Sequence, residues 1–360
     1  MVHEDSSTGA TTLSPATVEF HKGYIEGVVP FYLDHAHVKG RLIRLGPLVE
    51  TLLANHQYPD LVNQYIAELI ALAAALSIDV KYDGIFTLQI SAQPDHKGPI
   101  RLVTVDINTQ GDVRAYAQLD PTANQHTADK AIPNEFRNMD SKISPERPEC
   151  TEGYMRTQSD AIFEKQTSKG EGYLSLRSIF GQGFMVFTAD LAQQAERYQA
   201  IVELTGETLS DCMHHFFRQS DQIPTGLVLF SQPSASSGQL MAGALILQRL
   251  PFNAGSTFEE KEQDEDDWIA NLSLLGTLTK RELLDATLSS EQLLHRLFHK
   301  RQLHLLEPKP LQAKCSCSKD RIEKVINNFP LEDRLEMAVD GEIKVICEFC
   351  NADYRLPPVS

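Results

Sequence analysis

Between residues 61 and 78 the apolar positions recur at helical spacing. Val62, Ile66, Leu69, Ile70, Ala73 and Leu76 fall on one stripe, and Tyr58-Pro59-Asp60 supplies the start signal. A shorter helix is predicted over residues 48–54, where Pro47 suits the first turn because its missing N–H is not needed there. Residues 23–38 mix alternating and aromatic positions and read as the opening of a first sheet. Strand-like runs at 85–92, 100–108 and 113–119 are separated by turn-forming residues, so an antiparallel meander is predicted. Periodicity then vanishes over 121–171, a stretch rich in Ser, Thr, Asn, Pro and charge that reads as a surface insertion. Regular patterning resumes at 183 with FMVFTADL and YQAIVEL, a helix near 209–217, and strands at 227–230 and 241–250. Sheet pieces with occasional helices, lacking regular βαβ units, predict an α+β fold.

A boundary is expected near 252–256. Beyond it, Glu259, Glu260, Glu262, Asp264, Glu265, Asp266 and Asp267 lead into Trp268, Ile269, Leu272, Leu275 and Leu278. A second short helix over 291–299 carries Leu293, Leu294, Leu297 and Phe298. Helices this short are marginal alone, so their stability must come from docking. The acidic run itself reads as a solvated face or linker. Residues 1–18 are small and polar and are expected to be disordered. The resulting division is a core at 19–252 holding the insertion, a helical linker at 253–310, and a C-terminal unit at 311–360.

Charge narrows the function classes. Lys and Arg number 33 against 49 Asp and Glu, giving a formal net charge of −16, which disfavours nucleic-acid and anionic-membrane partners. No apolar run reaches membrane-spanning length and the N-terminus carries no secretory signal, so a cytoplasmic location with reduced thiols is expected. The strongest chemical signal is Cys315-Ser316-Cys317 followed by Cys347-Glu348-Phe349-Cys350. Four thiolates on two short chelating arms make the sulfur-rich tetrahedral site that Zn2+ prefers. Helices predicted over 318–328 and 331–339, the Asp340-Gly341 turn and a strand over 342–346 would deliver the second pair to the first. Lys314, Lys319, Arg321 and Lys324 surround the first pair and should favour its thiolate. Three readings stay open at this point: a redox switch, a static zinc-ribbon interaction module, and a thiol–disulfide oxidoreductase using Cys347 and Cys350.

The remaining candidates are weaker. Cys212 shares a helix face with Leu209, Met213 and Phe216 and reads as a buried structural thiol, and Cys150 lies in the insertion beside Glu149. His214 and His215 diverge on a helix, while His295 and His299 share a face without a third ligand. Neither a GxxxxGK[ST] nor a GxSxG sequence occurs.

The segment CSCSKDRIEKVINNFPLEDRLEMAVDGEIKVICEFCNADYRL resembles the C-terminal zinc domain of the heat-shock protein 33 family, the redox-regulated holdase chaperones. Upstream, NHQYPDLVNQYIAELIALAAALSIDVKYDG, GETLSDCMHHFFRQSDQIPTGLVLF, MAGALILQRLP and LLHRLFHK resemble the same family, so the likeness covers most of 20–356. The resemblance implies an ATP-independent holdase rather than an enzyme. It implies a reduced, inactive form with one Zn2+ on Cys315, Cys317, Cys347 and Cys350. Oxidation would form one disulfide between Cys315 and Cys317 and another between Cys347 and Cys350, expel the metal, and unfold the tail and linker. Trp268, Ile269, Leu272, Leu275, Leu293, Leu297 and Phe298 would then meet unfolding client proteins, in an active form that is a homodimer. The chain departs from the family pattern in the insertion, in Lys300 where an acidic residue is usual, and in Asn351 where glycine is usual. Asn tolerates the left-handed backbone best among non-glycine residues, so the turn should survive.

Overall fold

The computed structural model describes residues 11–12, 24–34, 37–78, 82–93, 98–120, 175–191, 197–221, 223–233, 239–251 and 258–358. The expected insertion with Cys150, and the boundary at 252–256, lie outside these residues. So does most of the run expected to be disordered, except that Thr11–Thr12 is a short strand, β1.

In chain order, β2 (Gly27–Asp34) and β3 (Val38–Leu45) form an antiparallel pair, and α1 (Pro47–Leu53) and α2 (Asp60–Ser77) follow. Strands β4 (Tyr82–Ala92), β5 (Ile100–Asn108) and β6 (Asp112–Leu119) make the meander that the alternation predicts. Next come α3 (Leu176–Phe180), β7 (Gly183–Leu191), β8 (Arg197–Glu203), α4 (Leu209–Phe216), β9 (Thr225–Pro233) and β10 (Leu240–Arg249). Three helices, α5 (Phe258–Leu275), α6 (Lys280–Leu283) and α7 (Ser290–Phe298), precede three short strands, β11 (Gln302–Leu305), β12 (Lys309–Pro310) and β13 (Gln312–Ala313). The tail is α8 (Lys319–Ile326), α9 (Leu331–Met337) and the hairpin β14 (Ile343–Ile346) with β15 (Asp353–Leu356).

The fold is α+β. One sheet runs β1-β11-β2-β3-β10-β9 with β12 also on β2, and the other runs β13-β6-β5-β4-β7-β8. Helix α2 lies between them, touching β3, β9 and β10 on one side and β4, β5 and β6 on the other. Ala67, Ala71, Ala73, Ala74 and Ala75 are fully buried, and their small side chains let both sheets approach the helix backbone. Buried polar groups on this surface find partners. Glu68 accepts from Ser231 Oγ at 2.9 Å, and Arg41 donates to Ala75 O at 2.6 Å.

The stretch expected as a linker is packed onto the first sheet. Helices α5 to α7 cover the face away from α2, where Trp268, Leu272, Leu275, Leu293, Leu297 and Phe298 are buried and Ile269 is half-buried. They share one core with Phe31, Leu33, Leu42, Leu245 and Leu247, and the Phe298 ring sits 5.8 Å from that of Phe31. The acidic run is solvated as expected at Glu262, Glu265 and Asp266, but not at Asp264. Helical spacing puts Asp264 on the same inward stripe as Trp268, Asn271 and Leu275, so it is 4% exposed and pairs with Arg249 at 2.6 Å. Asp267 pairs with Arg301 at 2.6 Å.

The expected linker also ends inside the core. β11 and β12 both pair with β2, and β13, the first part of the expected tail unit, runs parallel to β6. This strap crosses between the sheets over two glycines. A Cβ on Gly27 (φ 142°) would lie 2.3 Å from Lys309 O, and one on Gly111 (φ 83°) would lie 2.5 Å from Pro310 O.

The α6–α7 corner carries two carboxylates held below their usual range: Glu282 by hydrogen bonds from Thr279, and Asp285 by the Thr287 side chain. Depressed acids stabilise fully above their unfolded pKa values, about 3.9 for Asp and 4.3 for Glu, and lose that contribution as the pH falls below them. Acidification from pH 5 to 3 should therefore release amide protection in 280–298 before it releases β10. Simultaneous loss, measured by hydrogen exchange, would refute this ordering.

Candidate metal centre and its docking

The four cysteine sulfurs lie within 4.8 Å of one another. Cys315 Sγ is 3.7 Å from Cys347 Sγ, and Cys317 Sγ is 3.4 Å from Cys350 Sγ. With Zn–S bonds near 2.3 Å, a tetrahedron has sulfur–sulfur edges of about 3.8 Å. The donor set therefore fits a tetrahedral soft dication with little rearrangement.

Local chain geometry explains the convergence. The strap brings Cys315 out of β13, with Lys314 N donating to Val113 O at 3.0 Å. β14 then delivers Cys347, and the chain folds back as Asn351 N donates to Cys347 O at 2.8 Å and Cys347 N to Ala352 O at 3.0 Å. Asn351 takes φ 55°, the left-handed turn expected of it. Cys347 follows a strand directly, so it lacks the helix N-terminus that activates many redox CxxC thiols.

Electrostatics make the same point. Burial, and then the crowding of neighbouring sulfurs, pushes the Cys315 and Cys350 thiols up. At Cys317 burial opposes ionisation, but hydrogen bonds from the Tyr354 hydroxyl (3.1 Å) and the neighbouring thiols hold its pKa down to about 7. Tyr354 is pushed up to about 12 by the same contact with Cys317. Metal-free, the cluster thus favours one thiolate, and gathering four requires a cation among them. The sequence expectation that nearby lysines would favour the thiolate is modified: Lys314 turns to Asp112, 3.0 Å away, and Tyr354 is the leading donor.

The cysteine turn is clamped to the core. Phe349 lies under Arg114, whose Cζ is 4.1 Å from the ring centre, and edge-on to Tyr116 at 4.7 Å. Arg114 also donates to Ser316 Oγ at 2.7 Å and pairs with Asp106 at 2.7 Å, linking the first cysteine pair to the same platform. Across the turn, Asn55 Nδ2 donates to Cys350 O at 3.2 Å, His56 Nε2 meets Phe349 O at 3.1 Å, and Asn351 Nδ2 donates to Asn55 O at 2.6 Å. Sequence reasoning missed Asn55, His56, Arg114, Tyr116 and Tyr354. The signal available was NHQYPD at the helix start, which gave only local structure.

Among the described residues, the other thiol and histidine candidates stay apart from the cluster. Cys212 is fully buried, His214 Nε2 meets Leu227 O at 3.2 Å, and His299 Nδ1 meets Arg296 O at 3.3 Å. No described helix is long and apolar enough to cross a membrane.

A family model described as Hsp33 protein matches residues 26–357. The chain belongs to the Hsp33 family. Among its relatives, the 33 kDa chaperonin of Caulobacter vibrioides (strain NA1000 / CB15N) is 32% identical over 353 residues, covering 97% of this chain and 99% of the relative. The 33 kDa chaperonin of Pseudomonas fluorescens (strain SBW25) is 28% identical, covering 90% and 88%. The crystal structure of the 33 kDa chaperonin (heat shock protein 33 homolog) of Thermotoga maritima matches with a TM-score of 0.63 at 16% identity, over 92% of this chain and 95% of that one, a likeness of fold. The Hsp33 family is a chaperone family, and the cysteine cluster here is placed where a metal could sit.

Proposed function

We propose that this protein is a redox-switched, ATP-independent holdase. Cys315, Cys317, Cys347 and Cys350 would hold one Zn2+ in the reduced, inactive form. The observation that carries this reading is the contrast between the four converging sulfurs and the weakness of the unit around them: Ile326, Ile343 and Leu356 are its entire buried core among the described residues. Bound zinc would supply the cross-link that this core cannot. The chain's own residues do the rest. Tyr354 holds a proton toward Cys317, Phe349 and Asn351 seat the turn on the core, and α5 to α7 cover the apolar sheet face.

Peroxide would take two electrons from each cysteine pair, forming a disulfide, and leave as two waters. We assign the pairs as Cys315 with Cys317 and Cys347 with Cys350. The shortest sulfur contacts run across the pairs, but neighbours two and three residues apart stay together once the unit opens, whereas thiols more than thirty residues apart separate. Without thiolates to hold the metal, the tail loses its fold and the clamp on the core. In this reading the linker helices then leave the first sheet, exposing Trp268, Leu272, Leu275, Leu293, Leu297 and Phe298, with Ile269 alongside, to client proteins. Buried atoms in this docked surface favour release: both polar atoms of Asn271, Ser290 Oγ and Glu291 Oε2 have no hydrogen-bond partner among the described residues. The active form is a homodimer in this reading, and the compartment is the cytoplasm.

The deciding experiment follows zinc release, free thiols and aggregation of a heat-unfolding client together, before and after peroxide at elevated temperature. Metal loss accompanied by suppressed aggregation is expected. Retention of metal and tail fold through complete thiol oxidation would end the proposal. A narrower prediction concerns the clamp. Phe349→Ala removes a cation–π and an edge-on aromatic contact, each about 0.5–1.5 kcal/mol. Zinc stoichiometry should be unchanged while peroxide-driven zinc release accelerates several-fold, and an unchanged release rate would show that the clamp does not restrain the centre.

A further inference from the structure

Arg44 is 1% exposed and sits on the face of β3 covered by α5 to α7, two positions from Leu42. Its hydrogen bonds go to main-chain carbonyls of the linker: Nε to Leu283 O at 2.9 Å, Nη1 to Leu288 O, and Nη2 to Asp285 O. Leu283 ends α6, and Leu288 immediately precedes Ser289, the residue that caps α7. One guanidinium therefore gathers three carbonyls spread across the α6–α7 corner. The Tyr24 ring stacks 5.0 Å from Cζ, and Asp285 and Glu291 supply negative field.

We propose that Arg44 is a latch that fastens the α6–α7 corner to the first sheet and sets how readily the linker leaves it. Its regulatory meaning rests on the switch reading above; the fastening itself does not. The last carbonyls of a helix have no intrahelical donor, and the Leu283 and Leu288 carbonyls make buried bonds to Arg44, away from water while the corner is docked. The planar five-donor fork of arginine satisfies three carbonyls at once, which a lysine ammonium cannot match in geometry. Opening the corner returns both the guanidinium and the carbonyls to water, where each is well solvated. The latch therefore holds the closed state without leaving a stranded charge in the open one. It also offsets nearby costs, because Tyr24 Oη, Ser290 Oγ and Glu291 Oε2 are buried with no hydrogen-bond partner among the described residues.

Hydrogen exchange on the full-length, reduced, zinc-loaded protein tests this. In Arg44→Met, amides of 280–298 should exchange on the order of tenfold faster or more, as expected for losing charge-assisted hydrogen bonds. Zinc content and protection of β10 should match the wild type. Arg44→Lys should fall between the two, a partial rescue that a mere volume effect would not give. Unchanged protection of 280–298 in Arg44→Met would overturn the latch, as would a loss spread equally through β3 and β10. Should Arg44→Met fail to fold, Arg44→Lys decides: faster exchange confined to 280–298 supports the latch, and uniform loss or no change overturns it. Aggregation assays on the oxidised wild type are scored separately, and their failure would count against the switch reading alone.

Discussion

Stripping the metal from the reduced, zinc-loaded protein with a strong chelator should unfold residues 315–357 and leave the two-sheet core intact. Structural zinc contributes on the order of 10 kcal/mol to a small domain, comparable to the whole stability of an average one. Here that contribution faces a buried core of Ile326, Ile343 and Leu356, with Val325, Leu331, Leu335 and Val339 left exposed. A unit of this size cannot bury enough surface to offset its chain entropy. Cys350→Ser should act in the same direction, since three thiolates and a hydroxyl bind zinc far more weakly. Hydrogen exchange resolved by segment gives the readout: protection should vanish over 318–356 and persist over α2, β5 and β10. A zinc-free tail that stays protected would remove the basis of the switch.

The second large effect is expected from Phe298→Ala. Phe298 is fully buried against Phe31 and the linker leucines, and truncating such a residue costs about 3–5 kcal/mol. Placed at the linker–sheet contact, that loss should fall on docking of α5 to α7. The reduced, zinc-loaded variant is expected to bind a hydrophobic dye, to be cut by protease between 258 and 300, and to suppress client aggregation without oxidant. An equal truncation between the sheets, Phe86→Ala, should instead lower the stability of the whole core without these signs. Wild-type dye binding and protease resistance in Phe298→Ala would show that the helices are held by something other than this core.

Much of this architecture is visible in the pattern of residues because the relevant signals are local. The stripe from Val62 to Leu76 gives α2, and Thr208 with Asp211 and Ser289 with Gln292 form capping boxes that start α4 and α7. The four cysteines are legible because sulfur at that spacing has few other uses. What escapes reading depends on distant partners. Strands β12 and β13 are two residues each, and their pairing exists only because β2 and β6 present open edges there. Arg44 and Arg41 look like solvent-facing positions in the run VKGRLIRL, yet both are buried, one under linker carbonyls and the other against Ala75 O. Asp264 misleads in the same way, because its neutralising partner Arg249 comes from β10. The docking of Phe349 needed a β6 arginine that no local pattern ties to the cysteine turn.

The strap has a further consequence for the return journey. Lys309–Pro310 closes on one sheet and Gln312–Ala313 on the other, so Cys315 leaves the core within two residues of a fixed point. While that short tether stays paired, a melted tail remains close to its landing platform, at an effective concentration on the order of millimolar for a short flexible connection. In the switch reading, re-docking of the tail after reduction would then be an intramolecular event, limited by recapture of the metal.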